Sequence, residues 1–274
     1  MEYRGTTVVI KIGGHAMLSS ALLDGFAEDV TLLKLLGFKP VVAHGGGPQI
    51  DALLKRLNIE TSFREGLRLT DPETMKAVEM VLCGSVGKDI VSRISRAGGS
   101  AVGLSGKDCN FIAVEKEYAS AVREDGTVEM VDIGFVGRPS RVDPEILNHL
   151  TAGGFIPVVA PVGVDAQGAA YNINADTLAA ALAIALKARR LILLTDVSGV
   201  LDENGELLVT LSASQIADLK KRGLIKGGMI PKLDCCLRAL EQGCGAASVI
   251  DGRVSQSLLL EIFTHKGCGT EITL

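Results

Sequence analysis

The apolar positions fall first into a strand rhythm and then into a helical one. Thr6-Thr7-Val8-Val9-Ile10-Lys11-Ile12 is β-branched and almost continuously apolar, as expected of a parallel strand buried on both faces, and it runs into Gly13-Gly14. Residues 20–36 then place Leu22, Leu23, Phe26, Val30, Leu33 and Leu36 along one helical face, and Gly37 ends that helix. Pro40-Val41-Val42-Ala43-His44 repeats the strand, Gly45-Gly46-Gly47 the glycine loop and residues 48–57 the helix, with Pro48 suited to its first turn. Strand, glycine loop and helix in repetition predict βαβ units on a parallel sheet.

The rest of the pattern extends this reading. Residues 64–70 form a short extended segment, and Asp71-Pro72 reads as the N-cap and first residue of a helix carrying Met75, Val78 and Leu82. Gly98-Gly99 closes the next helix. Turn signals crowd residues 102–137, with Glu124-Asp125-Gly126 between β-like runs, and predict hairpins there. A short helix over 144–150 and a buried strand over 155–159 follow. Asn172-Ile173-Asn174-Ala175-Asp176 leads into a helix reaching Leu186, and residues 190–195 are the clearest buried strand, ending in Asp196-Val197-Ser198-Gly199. Helices over 212–222 and 229–242 and strands over 246–250 and 270–273 complete the chain. No linker or repeat interrupts it, so one α/β domain is expected.

Composition narrows the field. Glycine supplies 32 of 274 residues, against roughly 7% in an average protein, and there is no tryptophan, so the core must be aliphatic. At 47% hydrophobic residues the chain is too apolar for disorder, and the glycines lack the period of three of collagen. The net charge of −4 comes without a clustered basic patch, which argues against a nucleic-acid partner. The apolar run 178–186 is too short to span a membrane, and Met1-Glu2-Tyr3-Arg4 lacks the apolar core of a signal peptide; a soluble cytoplasmic protein without a membrane partner is expected. The six cysteines, Cys83, Cys109, Cys235, Cys236, Cys244 and Cys268, form no C-x-x-C pair and no zinc-ligand spacing. Reduced, partly buried thiols and no metal-ligating residues are expected.

Several motifs are missing: the G-x-x-x-x-G-K-[ST] phosphate loop, the G-x-S-x-G elbow, the H-E-x-x-H zinc helix and the G-x-G-x-x-G dinucleotide loop. What remains is two glycine loops on neighbouring strands. Ligands of open α/β sheets sit beyond the carboxyl ends of the strands, and glycines let backbone N–H groups approach an anion closely. Tight turns without a ligand are the plainer alternative for either loop alone. Lys11, inside an apolar strand, either requires an anionic partner or reaches water from the strand end. Lys232 lies in a first helical turn, where a cation opposes the dipole; a bound polyanion would offset that cost, and a surface lysine is the alternative. Asp176 is favourable in its first turn on dipole grounds alone, and Arg68 could clamp a carboxylate or be a solvated strand residue.

Together the segments resemble the amino acid kinase family. The resemblance rests on Lys11-Ile12-Gly13-Gly14-His15-Ala16-Met17, His44-Gly45-Gly46-Gly47-Pro48-Gln49-Ile50, Gly66-Leu67-Arg68-Leu69-Thr70, Asn172-Ile173-Asn174-Ala175-Asp176, residues 194–200, Gly228-Met229-Ile230-Pro231-Lys232 and Ile250-Asp251-Gly252-Arg253, in register over nearly the whole chain. It implies a three-layer αβα sandwich on a central, mostly parallel sheet. The N-terminal lobe, about residues 1–170, would hold an acyl amino acid and mediate dimerisation, and the C-terminal lobe, about 171–274, would hold ATP. The Gly66 and Asn172 motifs favour the members that transfer the ATP γ-phosphoryl group, with Mg²⁺, to the side-chain carboxylate of N-acetyl-L-glutamate in arginine biosynthesis.

By that resemblance Lys11 and Lys232 stabilise the transferring phosphoryl group, Asp176 orients both lysines, and Gly14 offers a backbone N–H. Gly46 and Gly47 hold the acceptor, Arg68 pairs with its α-carboxylate and Asn172 fixes it. Asp196, Val197, Ser198, Gly199, Val200 and Leu201, with Leu224, Ile225 and Lys226, line the nucleotide. A kinase for a carrier-linked aminoadipate shares most of these motifs, and a non-catalytic amino-acid or nucleotide sensor on the same fold is a second alternative. The few residues ahead of Lys11 favour a homodimer over the hexamers of arginine-inhibited relatives, although residues 261–264 and 267–270 resemble the tail of arginine-responsive members.

Overall fold

The computed structural model describes residues 4–13, 17–122, 127–264 and 267–274. β1 (Thr7–Ile12) lies in the middle of an eight-stranded sheet, hydrogen-bonded in parallel to β2 (Lys39–His44) on one side and to β11 (Arg190–Thr195) on the other. Outward from β2 come β8 (Ile156–Ala160) and β5 (Ala101–Ser105); outward from β11 come β13 (Ala247–Asp251), β14 (Gly269–Thr273) and β12 (Thr210–Ser212). Only the β13–β14 pairing is antiparallel, so the sheet is mostly parallel, as expected.

Alternation along the central strands sorts the core into two layers. Val8, Ile10 and Ile12 of β1 join Val42 and Ile192 in one apolar cluster, covered by α1 (Ser20–Leu35), α3 (Pro72–Glu79), α4 (Gly87–Arg96) and α9 (Ser257–Phe263). Val9, Val41, Ala43, Leu191 and Leu193 join the opposite cluster, covered by α5 (Glu145–Ala152), α6 (Ala175–Ala185), α7 (Ala213–Lys221) and α8 (Met229–Glu241). The central strands are buried on both sides because both faces carry helices. The period of two also decides where Lys11 points: it shares the face of Val9, toward α6 and α8.

The local predictions agree closely with the elements. Asp71 caps α3 by accepting from Thr74 N–H at 2.7 Å, with Pro72 in the first turn. Ser19 caps α1, and Ser212 with Gln215 forms a capping box on α7. Two features differ from expectation. Residues 101–105 are no hairpin arm; they pair in parallel with β8 as the sheet edge. The hairpin is β6 (Ile112–Val122) with β7 (Val128–Val142), which closes with β9 (Val162–Val164) and β10 (Ala170–Asn172) into a small four-stranded barrel beside the sheet. α3 continues through a π-helical segment, Met80–Val86, into α4. No described helix is long and apolar enough to cross a membrane. The six cysteines are free thiols, with Cys236 and Cys244 buried and Cys109 exposed.

Candidate functional site

Three elements bring three charges together at the carboxyl end of the sheet. Lys11 sits one residue before the end of β1. Asn174 caps α6 through its side-chain oxygen, which accepts from Asp176 N–H at 2.9 Å and Thr177 N–H at 3.1 Å, and so fixes Asp176 in the first turn. Lys232 lies in the first turn of α8. The Lys11 ammonium is 2.9 Å from Asp176 Oδ1, and the Lys232 ammonium 2.6 Å from Oδ2. Asp176 thus bridges both lysines, each through its own oxygen.

Burial alone would raise the Asp176 carboxyl; the two ammonium groups outweigh it and hold the pKa at about 2. Burial pushes the Lys11 ammonium down, Asp176 opposes that, and Lys232 adds to it. Asp196, on the wall of the adjoining cavity, also acts on Lys11 and favours its ammonium. Of the two readings of Lys11, the buried one with an anionic partner holds, and the chain itself supplies that partner.

Two cavities meet at this cluster. One, of about 460 Å³, is lined by Asp196, Val197, Gly199, Val200, Leu201, Leu224, Ile225 and Lys226, and takes in Met229, Gly228 and Lys232. Of the residues expected to line a nucleotide, Ser198 alone stays outside its wall. Gly199 has φ +139°, and a Cβ there would lie 2.6 Å from Thr270 Oγ1, whose hydroxyl accepts from Val200 N–H at 2.9 Å; the loop turns at the only residue type that fits. The second cavity, of about 380 Å³, lies between the barrel and the start of α6, and includes Asn174, Asp176 and Lys232. Lys232 and Gly228 belong to both.

The remaining expected residues behave differently. Gly14 falls outside the described residues. Gly46 precedes α2 (Gly47–Arg56); a Cβ on it would come within 2.5 Å of Leu82 Cδ2 in the π-helical segment. Arg68 is buried and occupied: it pairs with Asp51 at 2.7 Å, donates to Thr61 Oγ1 at 2.6 Å and to the Gly47 carbonyl at 3.4 Å, and lies over the Phe63 ring. Asn172, on β10, pairs with Val136, a residue of the second cavity's wall. None of Gly46, Gly47, Arg68 and Asn172 lines either cavity in this state.

Sequence reasoning missed the barrel's contribution, Glu117, Tyr118 and Arg138, because nothing local reveals that the hairpin folds back over α6. It also missed Asp51, whose helical position gives no hint of its partner twelve or more residues on. Arg138 is held loosely there, 3.7 Å from Glu117 and 3.8 Å from Glu115. Among the described residues no group of three or more His, Cys, Asp or Glu side chains could hold a metal ion.

The amino acid kinase family profile matches residues 6–251. The chain belongs to the amino acid kinase family. Within that family it is 54% identical over its whole length to an acetylglutamate kinase of Zymomonas mobilis, covering 91% of that protein. It is 53% identical over 99% of its length to one of Geobacter sulfurreducens, covering 93% of it. Its structure is similar to an N-acetylglutamate synthase from Neisseria gonorrhoeae, solved with coenzyme A and N-acetyl-glutamate, with a TM-score of 0.85 and 27% identity. All of this chain is matched there but only 60% of that one. A Giardia lamblia carbamate kinase bound to AMP-PNP shares the amino acid kinase fold at a TM-score of 0.68 and 18% identity.

Proposed function

We propose that this amino acid kinase transfers the γ-phosphoryl group of ATP to the side-chain carboxylate of N-acetyl-L-glutamate, yielding N-acetyl-L-glutamyl 5-phosphate and ADP in arginine biosynthesis. The observation that carries the reading is the Lys11–Asp176–Lys232 cluster at the junction of two cavities, in a chain more than half identical to acetylglutamate kinases over its full length. A carboxylate is ionised at neutral pH, so no general base is required. A carboxylate oxygen bonds to the γ-phosphorus as the bond from that phosphorus to the ADP oxygen breaks, and no proton moves.

The chain's task is alignment and charge neutralisation. Lys11 approaches the phosphoryl group from the acceptor side and Lys232 from the nucleotide side, where it already lines both cavities. Asp176 holds the two ammoniums apart and aimed. Gly14, Gly46 and Gly47 offer backbone N–H groups, Arg68 takes the α-carboxylate by exchanging its bond to Asp51, and Asn172 fixes the acceptor. The larger cavity suits ATP: Val200, Leu201, Leu224 and Ile225 offer apolar contact for a base, and Lys226 and Lys232 offer cations for phosphates. Mg²⁺ accompanying ATP would neutralise phosphate charge.

The N-terminal lobe, about 1–170, holds the acceptor in this reading and the C-terminal lobe, about 171–274, the nucleotide, on a sheet that runs unbroken through β1 and β11. By the family resemblance the enzyme works as a cytoplasmic homodimer. The test is ADP release with free N-acetyl-L-glutamate against a carrier-linked aminoadipate, with and without arginine, alongside a solution mass. Turnover of the free substrate by a dimer is expected. Turnover of the carrier-linked substrate alone, or of neither, refutes the reading.

A further inference from the structure

His44 ends β2 and immediately precedes the glycine loop. Its side chain is fully buried, and its Nδ1 lies 2.8 Å from the Gly45 carbonyl oxygen. A carbonyl can only accept, so Nδ1 carries the proton. Among the described residues Nε2 is buried without a partner, pressed against the start of α4, where a Cβ at Gly87 would lie 3.2 Å away. A desolvated acceptor with no donor weakens a fold, and leucine or phenylalanine would fill similar space without that cost. Packing therefore does not account for the imidazole; its other nitrogen does.

The Gly45 carbonyl and the Gly46 N–H belong to one planar trans peptide and point in opposite directions. The preceding peptide is tied as well, because Gly45 N–H donates to the Ile12 carbonyl of β1 at 2.9 Å. We propose that His44 is a positioning residue: by donating from Nδ1 to the Gly45 carbonyl it sets the Gly45–Gly46 peptide plane, and so aims the Gly46 N–H at the acceptor carboxylate. The inference rests on the reading of Gly46 as an acceptor-binding donor. Burial lowers the ring's pKa to about 4, so the imidazole is neutral and its donor constant at any working pH. Neither of the lysines nor Asp176 is involved, and the nucleotide side is untouched.

Asparagine can place its amide nitrogen where Nδ1 stands, whereas glutamine carries its amide further out, near the position of Nε2, and leucine has no donor. Expected for His44→Leu is a fall of about tenfold or more in kcat/KM for N-acetyl-L-glutamate, the size of a lost aimed hydrogen bond, with KM for ATP unchanged. His44→Asn restores most of that loss and His44→Gln does not. A His44→Leu enzyme with wild-type kcat/KM overturns the proposal, as does a folded His44→Asn enzyme no better than His44→Leu. Should His44→Leu not fold, the ratio between the Asn and Gln variants decides. A long-range ¹H–¹⁵N spectrum of the wild type reads the tautomer without any substrate: Nδ1–H is expected, and Nε2–H overturns the proposal. If wild type fails to turn over N-acetyl-L-glutamate, the functional reading falls, while the tautomer still judges the His44 geometry.

Discussion

Gly46, on the side of the lysine–aspartate cluster proposed for the acceptor, and Gly199, on the side proposed for the nucleotide, are held as glycine by different forces. At Gly46 the constraint is crowding: φ is 170°, outside the left-handed region, and Leu82 occupies the space a Cβ would need. At Gly199 the constraint is the backbone itself, with φ +139° and Thr270 closing over it. The surroundings differ accordingly. The acceptor loop is gripped by its neighbours: Leu82 from the π-helical segment, His44 on the Gly45 carbonyl and Arg68 on the Gly47 carbonyl. The nucleotide loop borders an open cavity and is tied at Val200 to Thr270. One side is preorganised by side-chain packing, the other by the turn of the chain, and the charge cluster sits between them.

The largest effect should come from the cluster, which both sides share. Lys11→Ala or Lys232→Ala is expected to cut kcat by about 10²–10³, the usual loss for an aimed charge or donor acting in the transition state. Because each leaves Asp176 one partner short, a stability loss of up to about 3–5 kcal/mol accompanies it. Steady-state kinetics with a melting curve on each variant separates the two, and near-wild-type turnover in both would remove the cluster from the chemistry.

Alanine at the two glycines separates the two constraints. Gly46→Ala must displace Leu82, a fully buried core residue, at a cost of about 1–3 kcal/mol, and is expected to raise KM for N-acetyl-L-glutamate. Gly199→Ala forces strained backbone, also about 1–3 kcal/mol, and is expected to raise KM for ATP instead. Kinetics in which the two swap substrates would show that the two loops have been assigned to the wrong ligands. A smaller shift, of severalfold in the KM for N-acetyl-L-glutamate alone, is expected of Arg68→Lys, which loses the planar fork; an unchanged value would take Arg68 out of the site.

The smallest effect lies outside both loops. Asp29 of α1 is buried, and that burial pushes its carboxyl up to about 6, against the Leu258 N–H, which lowers it. The folded protein then holds this proton more tightly than the unfolded chain, whose carboxyl titrates near 3.8. The stabilisation this gives is complete below about pH 4 and is lost as pH rises through about 6. Asp29→Asn should therefore raise the melting temperature at neutral pH, with the gain shrinking toward pH 4, and leave both KM values alone. A gain that grows on acidification would contradict the sign.

Much of this was legible in the chain. The β-branched, almost continuously apolar run of residues 6–12 predicts β1; Asp71 and Pro72 sit where a helix start needs them; seven short motifs in order point to the amino acid kinase family. The rest depends on contacts between residues far apart. Asn172 could be named from its motif, yet it stays off the cavity wall, which includes Asn174, the cap of α6, and Glu117, Tyr118 and Arg138 from the barrel. The pairing of Arg68 with Asp51, the pressure of Leu82 on Gly46 and the parallel seat of residues 101–105 beside β8 arise from tertiary packing, which has no local period to read.

Phosphoryl transfer to the side-chain carboxylate is read most directly by trapping the product. Enzyme, ATP with Mg²⁺ and N-acetyl-L-glutamate are incubated with hydroxylamine, which converts an acyl phosphate into a stable hydroxamate. Hydroxamate formed in step with ADP, and lost in Lys11→Ala and Lys232→Ala, is the expected result. ADP released without hydroxamate, or hydroxamate formed equally well by both variants, would contradict phosphoryl transfer to the side-chain carboxylate at this cluster.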